Sequence, residues 1–227
     1  MFILDALRGS PPSSKRSADP EFACRPRSRT VRSGLAVVSG LLIGAVTEWL
    51  VLRVSFALMP LSNSAAPWII VASLVALTAR SMRESLGLAV VALLAAIVGF
   101  YLAQGVRGWG VSGHQLAFWC AVAVVAGPVI GLSAGWLRHV NGAWGAVGAG
   151  VLGGLLIGEA LHGLSQPTFL SPHDYWHAQL VLGAGLVVVL AVWNSLDRPH
   201  RRGRLLIVSL AACTAVALAT AAVYRIA

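Results

Sequence analysis

Two acidic residues stand where hydrocarbon is expected. Glu48 and Glu159 each interrupt a long apolar run, and an ionised carboxylate deep in a bilayer costs several kcal/mol unless it is paired or functional. At 1.5 Å per helical residue, Glu48 lies about 21 Å along its run and Glu159 about 25 Å along its own, both toward the same face of the membrane. His162 follows Glu159 by three positions and shares its helix face. Arg107, just past the third apolar run, is a candidate counter-charge for either acid. Asn63 is a candidate pocket amide beside Glu48. These five residues define an expected polar pocket, protonatable or cation-binding and open to the outside. A plainer reading stays open: structural ion pairs, or carboxylates that reach interfacial water, with Asn63-Ser64 capping the next helix.

A second cluster is His173, Asp174 and His177. The histidines are four apart and would face one metal such as Zn²⁺ or Cu²⁺ if their segment were helical, with Asp174 assisting. Pro167 and Pro172 argue instead for an irregular loop. The string Gly108-x-Gly110-x-x-Gly113 matches a dinucleotide fingerprint by letter, but no strand precedes it and it falls between two apolar runs. No Walker motif, nucleophile elbow or Ser/His/Asp set is present, so no catalytic residue or cofactor is expected, and an intramembrane enzyme acting on lipid stays open with no motif behind it. Cys24, Cys120 and Cys213 are far apart and show no metal or disulfide spacing.

What must position these groups is a membrane bundle. The chain is 57% hydrophobic and only 11% charged, with mean hydropathy +0.79; soluble domains carry about a quarter charged residues. Seven apolar runs are expected to span: 34–57, 62–79, 86–102, 115–137, 142–161, 178–194 and 205–224, the ends of the second and third being the least sharply marked. Each must be helical, because only a helix satisfies its own backbone groups in lipid. The expected fold class is therefore all-α, a polytopic transmembrane bundle over 34–227. Residues 1–33, rich in Pro, Ser and Arg, read as a disordered basic tail and contain no signal-peptide apolar core.

Net charge +9 raises the question of nucleic acid, but the charge is topogenic in its placement. With a cytoplasmic N-terminus, the inner side holds the tail, Arg80, Arg83, Arg138, Arg198, Arg201, Arg202 and Arg204. The outer side keeps Arg53, Arg107 and Arg225. This predicts an outside C-terminus, a multi-pass protein of the bacterial inner membrane, and no nucleic-acid partner.

Glycines recur at 127, 131 and 135, and again at 150, 154 and 158, each set on one helix face. Such faces let backbones approach closely. Contact inside one bundle is the expected use; a seam to a second copy or another membrane protein is the alternative. Beyond these, the expected partner is the lipid bilayer. Pro128 frees a carbonyl and is expected to kink its span. Gly-Leu-Leu-Ile-Gly occurs at 40–44 and again at 154–158, which raises a parallel repeat of three spans, a linker span and three spans.

Several strings together carry a resemblance: Asn63-Ser64-x-x-Pro67-Trp68, Gly99-Phe100-Tyr101, Phe118-Trp119, and Gly127-Pro128-x-x-Gly131-x-x-x-Gly135-Trp136-x-Arg138. The chain resembles a family of uncharacterised bacterial integral membrane proteins, over roughly 34–225. The resemblance implies a multi-span bundle and no activity. Small-solute or ion handling, as a permease-like bundle or transporter subunit, is the functional expectation; a non-catalytic scaffold is its alternative.

Overall fold

The computed structural model describes residues 26–51, 53–62, 64–140, 142–167, 172–196 and 199–226. Among these, every regular element is helical: α1 (Pro26–Leu50), a 3-10 segment (Phe56–Ser62), α2 (Ala66–Leu77), α3 (Met82–Val106), α4 (Gly113–Gly135), a π turn (Trp136–Val140), α5 (Gly142–Leu164), α6 (His173–Ser195), a 3-10 turn (Pro199–Arg201) and α7 (Arg202–Ile226). All of these helices but α2 are long and apolar enough to cross a membrane. The first helix begins at Pro26, within the segment expected to be tail, and stops at Leu50, short of the expected end at Ala57.

The second expected span is not one straight helix. With 12 residues, α2 covers about 18 Å of the roughly 30 Å of hydrocarbon, and it meets the 3-10 segment at a 48° bend. Pro60 lies inside the 3-10 segment and Pro67 in the first turn of α2. A proline lacks the N–H that a continuing helix would need, so it starts a helix rather than extending one.

Despite the break, this element crosses the bundle. At one end, Arg32 of α1 pairs with Glu84 of α3 at 2.8 Å, Ser85 donates to the carbonyl of Ala76 at 3.1 Å, and Arg138 donates to the carbonyl of Leu77. At the other end, Trp68 Nε1 donates to Thr47 at 3.2 Å and the N–H of Ala65 reaches Glu159 near the end of α5. Between Ala65 and Leu77 the chain has therefore travelled from the α1 C-terminal end back to the α1 N-terminal end. The described residues thus hold six helices long and apolar enough to span, and seven if the bent pair is counted as one span.

Glycine seams hold the bundle. A methyl group at Gly40 or Gly44 would strike α3 at Ala92 or Ala96; one at Gly127, Gly131 or Gly135 would strike α3 at Val90, Leu86 or Met82; one at Gly150, Gly154 or Gly158 would strike α7 at Ser209, Cys213 or Ala217. Both glycine faces singled out in the sequence are thus used inside the chain. The two Gly-Leu-Leu-Ile-Gly copies do equivalent work, docking α1 on α3 and α5 on α7, each the most extensive contact of its helix. The likeness stops at the middle members: α2 leans mainly on α3, whereas α6 leans on α5. Helix α4 runs through Pro128 without interruption and gives way to the π turn only at Trp136.

Candidate functional site

Glu48, in the last turns of α1, is buried with 1% of its side chain exposed. Arg107, the C-cap of α3, places Nη1 2.8 Å from the Glu48 carbonyl and 3.4 Å from its Oε1. The same guanidinium lies over the ring of Trp109, 4.4 Å from its centroid. It is carried there by the end of α3: Gly108 takes φ +75°, the left-handed conformation that stops a helix and suits glycine. The dinucleotide-like string therefore begins at a helix stop. The ion-pair reading describes Glu48 well.

Glu159 is bound differently. Its Oε1 accepts the N–H of Ala65 at 2.6 Å, and its Oε2 accepts from Gln179 Nε2 at 2.9 Å and from Ser64 Oγ at 3.1 Å. The carboxylate thus caps the start of α2, where unsatisfied backbone donors and the positive end of the helix dipole favour a negative charge. No basic side chain contributes a salt bridge to it among the described residues. The two carboxylates make no bond to one another, but the entry to α2 joins them: Ser64 and Ala65 hold Glu159, and Trp68 holds Thr47, the neighbour of Glu48.

His162 shares its face of α5 with Glu159, stacks on Tyr224 with ring centroids 4.9 Å apart, and places Nε2 3.3 Å from Gln166 Nε2. Asn63 lies outside the described residues. His173 and His177 fall in the first turns of α6, not in an irregular loop, so their four-residue spacing does put them on one face. Their rings sit 6.3 Å apart at a steep angle, and His173 Nε2 is 3.0 Å from the carbonyl of Gln166. No group of three His, Cys, Asp or Glu side chains converges among the described residues.

Above the start of α2 the bundle opens into a cavity of about 230 Å³, lined by Ser62, Ser64, Ala65, Trp68, Phe100, Tyr101, Gln104, Gln115 and Trp119. The 3-10 segment, the first turn of α2, the last turns of α3 and the first turns of α4 form its walls. Gln104 Oε1 is buried in that wall with no hydrogen-bond partner. Sequence reasoning placed Ser64, Trp68, Phe100, Tyr101 and Trp119 in motifs but gave them no common site. It passed over Gln104, Gln179 and Tyr224 altogether. A usable signal was there for Gln179: an amide inside an apolar run, one helical turn from Tyr175, which has few reasons to exist unless it meets a polar partner.

An all-helical bundle with six apolar spans, a seventh that is broken, and polar groups gathered at the break defines a multi-pass integral membrane protein. Residues 24–227 match a family of unknown function, DUF6518, and the chain belongs to that family. No curated protein and no solved structure matches it.

Proposed function

We propose that this protein handles a small solute at the bacterial inner membrane, binding it in the cavity above α2 with that cavity facing outward. The observation that carries the reading is the junction of cavity and broken helix. Discontinuous helices supply the binding sites of many transporters because a break brings polar groups to membrane depth. Here the end of α2 is held by Glu159, and the cavity is mostly apolar with a few convergent polar groups, the usual character of a small-molecule site. The alternative role, a non-catalytic scaffold or accessory subunit, would rest on the glycine faces, which are packed within the bundle, and on the basic tail and the arginine-rich segment 198–204 docking to anionic lipid or a partner.

Native mass spectrometry of protein released from its own membrane into nanodiscs tests the reading. Gln115 stands exposed at the cavity rim, so Gln115→Trp should plug the mouth without disturbing the bundle. A small-molecule adduct on the natural protein that the variant lacks is the expected result. A stable complex with a second polypeptide and no small adduct would overturn it in favour of the subunit role.

A further inference from the structure

The buried carboxylate beside the cavity wall is bonded so that it can stand with or without a proton. As an ion, Glu159 receives three donors: the N–H of Ala65 on Oε1, and Gln179 Nε2 and Ser64 Oγ on Oε2. Of these partners, Ser64 alone can reverse. Backbone and amide N–H groups donate and never accept, whereas a hydroxyl does both. Ser64 Oγ also stands 3.3 Å from a second acceptor, Gln179 Oε1, and accepts the N–H of Ala66 at 3.1 Å. When Oε2 carries a proton, its O–H can donate to Ser64, whose own hydrogen turns to Gln179 Oε1. Gln179 Nε2 keeps the carbonyl of Leu156 at 3.1 Å, and Ala65 keeps Oε1. Each of these groups has a partner in both schemes, so neither state leaves a buried donor or acceptor orphaned.

The surroundings do not pin the charge. Glu48, the other buried acid, is paired with Arg107 at 3.4 Å, whereas Glu159 has no salt bridge among the described residues. The titratable groups that face it are Tyr175 of α6 and Tyr224 of α7. The entry to α2 brings it only Ser64, Ala65 and Ala66, and α4 brings it no charged group. His162, on the same face of α5, turns Nε2 to Gln166 at 3.3 Å. An ionised carboxylate without a cation is costly at membrane depth, and intramembrane acids of this kind serve as proton relays. Ser64 and Ala65, which hold Glu159, also line the cavity.

Resting on the solute-binding reading above, we propose that Glu159 is the proton-binding residue of that site and that Ser64 is its switch. A hydronium ion gives its proton to Oε2 and leaves as water; one O–H bond forms and one breaks. The Ser64 hydroxyl then turns from Glu159 to Gln179. Because Ser64 belongs to the cavity wall, proton and solute meet at one residue, and each alters the binding of the other.

Infrared difference spectroscopy of the full chain in nanodiscs, recorded as pH is stepped down and back, tests this. A protonated carboxyl shows a C=O stretch that a carboxylate lacks, and carboxyls exposed to water add a background common to all variants. The natural protein should gain a further band reversibly, and Glu48→Gln should keep it. Glu159→Gln should lose it. Ser64→Ala should retain it at a shifted position, because the acid O–H has lost its acceptor. That shift ties the band to Glu159 even where Glu159→Gln does not fold. No such band, or one unchanged by Glu159→Gln, would overturn the proton site. A band in Ser64→Ala at the natural position would overturn the switch. The solute reading stands or falls separately. An adduct that Gln115→Trp loses, with no Glu159 band, would leave a solute site and overturn the proton. The band without an adduct would leave the proton site and overturn the solute reading.

Discussion

The two three-helix groups, α1–α3 and α5–α7, are built on the same device and diverge in what they do with it. Each docks its first helix on its third through Gly-Leu-Leu-Ile-Gly, and each carries one buried carboxylate near the same end. In the first group the carboxylate, Glu48, is neutralised locally by Arg107 of α3. In the second, Glu159 reaches out of its own group to the break in the other, where it holds Ser64 and Ala65. One acid closes a pair; the other closes a gap in the neighbouring half. Similar residues at similar depth thus have different duties, decided by whether the middle span is whole.

Removing Glu159 should break this comparison most. Glu159→Ala leaves the Ala65 N–H without its acceptor and takes the charged acceptor from Ser64 and Gln179, which keep only Gln179 Oε1 and the Leu156 carbonyl, and a loss of about 3–5 kcal/mol is expected. Thermal unfolding in detergent should show it as the largest drop in Tm among these variants. Glu159→Gln should recover part, since an amide oxygen can still accept from Ala65. A Tm equal to that of the natural protein would remove the cap from the account.

Arg107→Leu comes next, at about 2–3 kcal/mol, because it strands a buried charge rather than several neutral donors. Glu48→Gln added to it should restore stability, so the double variant should unfold at a higher temperature than Arg107→Leu alone. No second substitution near Glu159 should rescue Glu159→Ala in this way. Strict additivity of the Glu48 and Arg107 changes would mean that the two side chains are not coupled.

The smallest effects should come from the seams. Gly44→Ala and Gly154→Ala each force a methyl against a facing backbone carbonyl, of Ala96 and Cys213 respectively, and overpacking of this kind costs roughly 1–3 kcal/mol. Similar losses at the two sites would show that the halves share a docking mode. A loss at one alone would confine the likeness to the letters of the sequence.

Much of the fold was legible because lipid leaves a chain few choices. Long apolar runs must be helices, and the expected cores of spans three to seven fall within α3 to α7. The second run was harder, since hydropathy counts apolar residues and does not register a bend. Pro60 and Pro67, one on each side of its start, were the mark of the break. Of the site, charge and depth offered Arg107 as counter-charge to either acid, and the fold gives it to Glu48. The partners of Glu159 could not, because Ser64 and Gln179 lie 95 and 20 positions away, and no periodicity links residues on three separate elements. The cavity was invisible for the same reason: its walls come from the ends of helices, where packing and not composition decides what faces what.

The cap on α2 also orders events during synthesis. Ala65 precedes its acceptor by 94 positions, so while the ribosome is still building α3 and α4 the Ala65 N–H has no lasting partner in the protein. A 12-residue helix is also too short to be released into lipid as a complete span. The second crossing must therefore be sheltered by the insertion machinery, or kept wet, until the fifth segment arrives with Glu159.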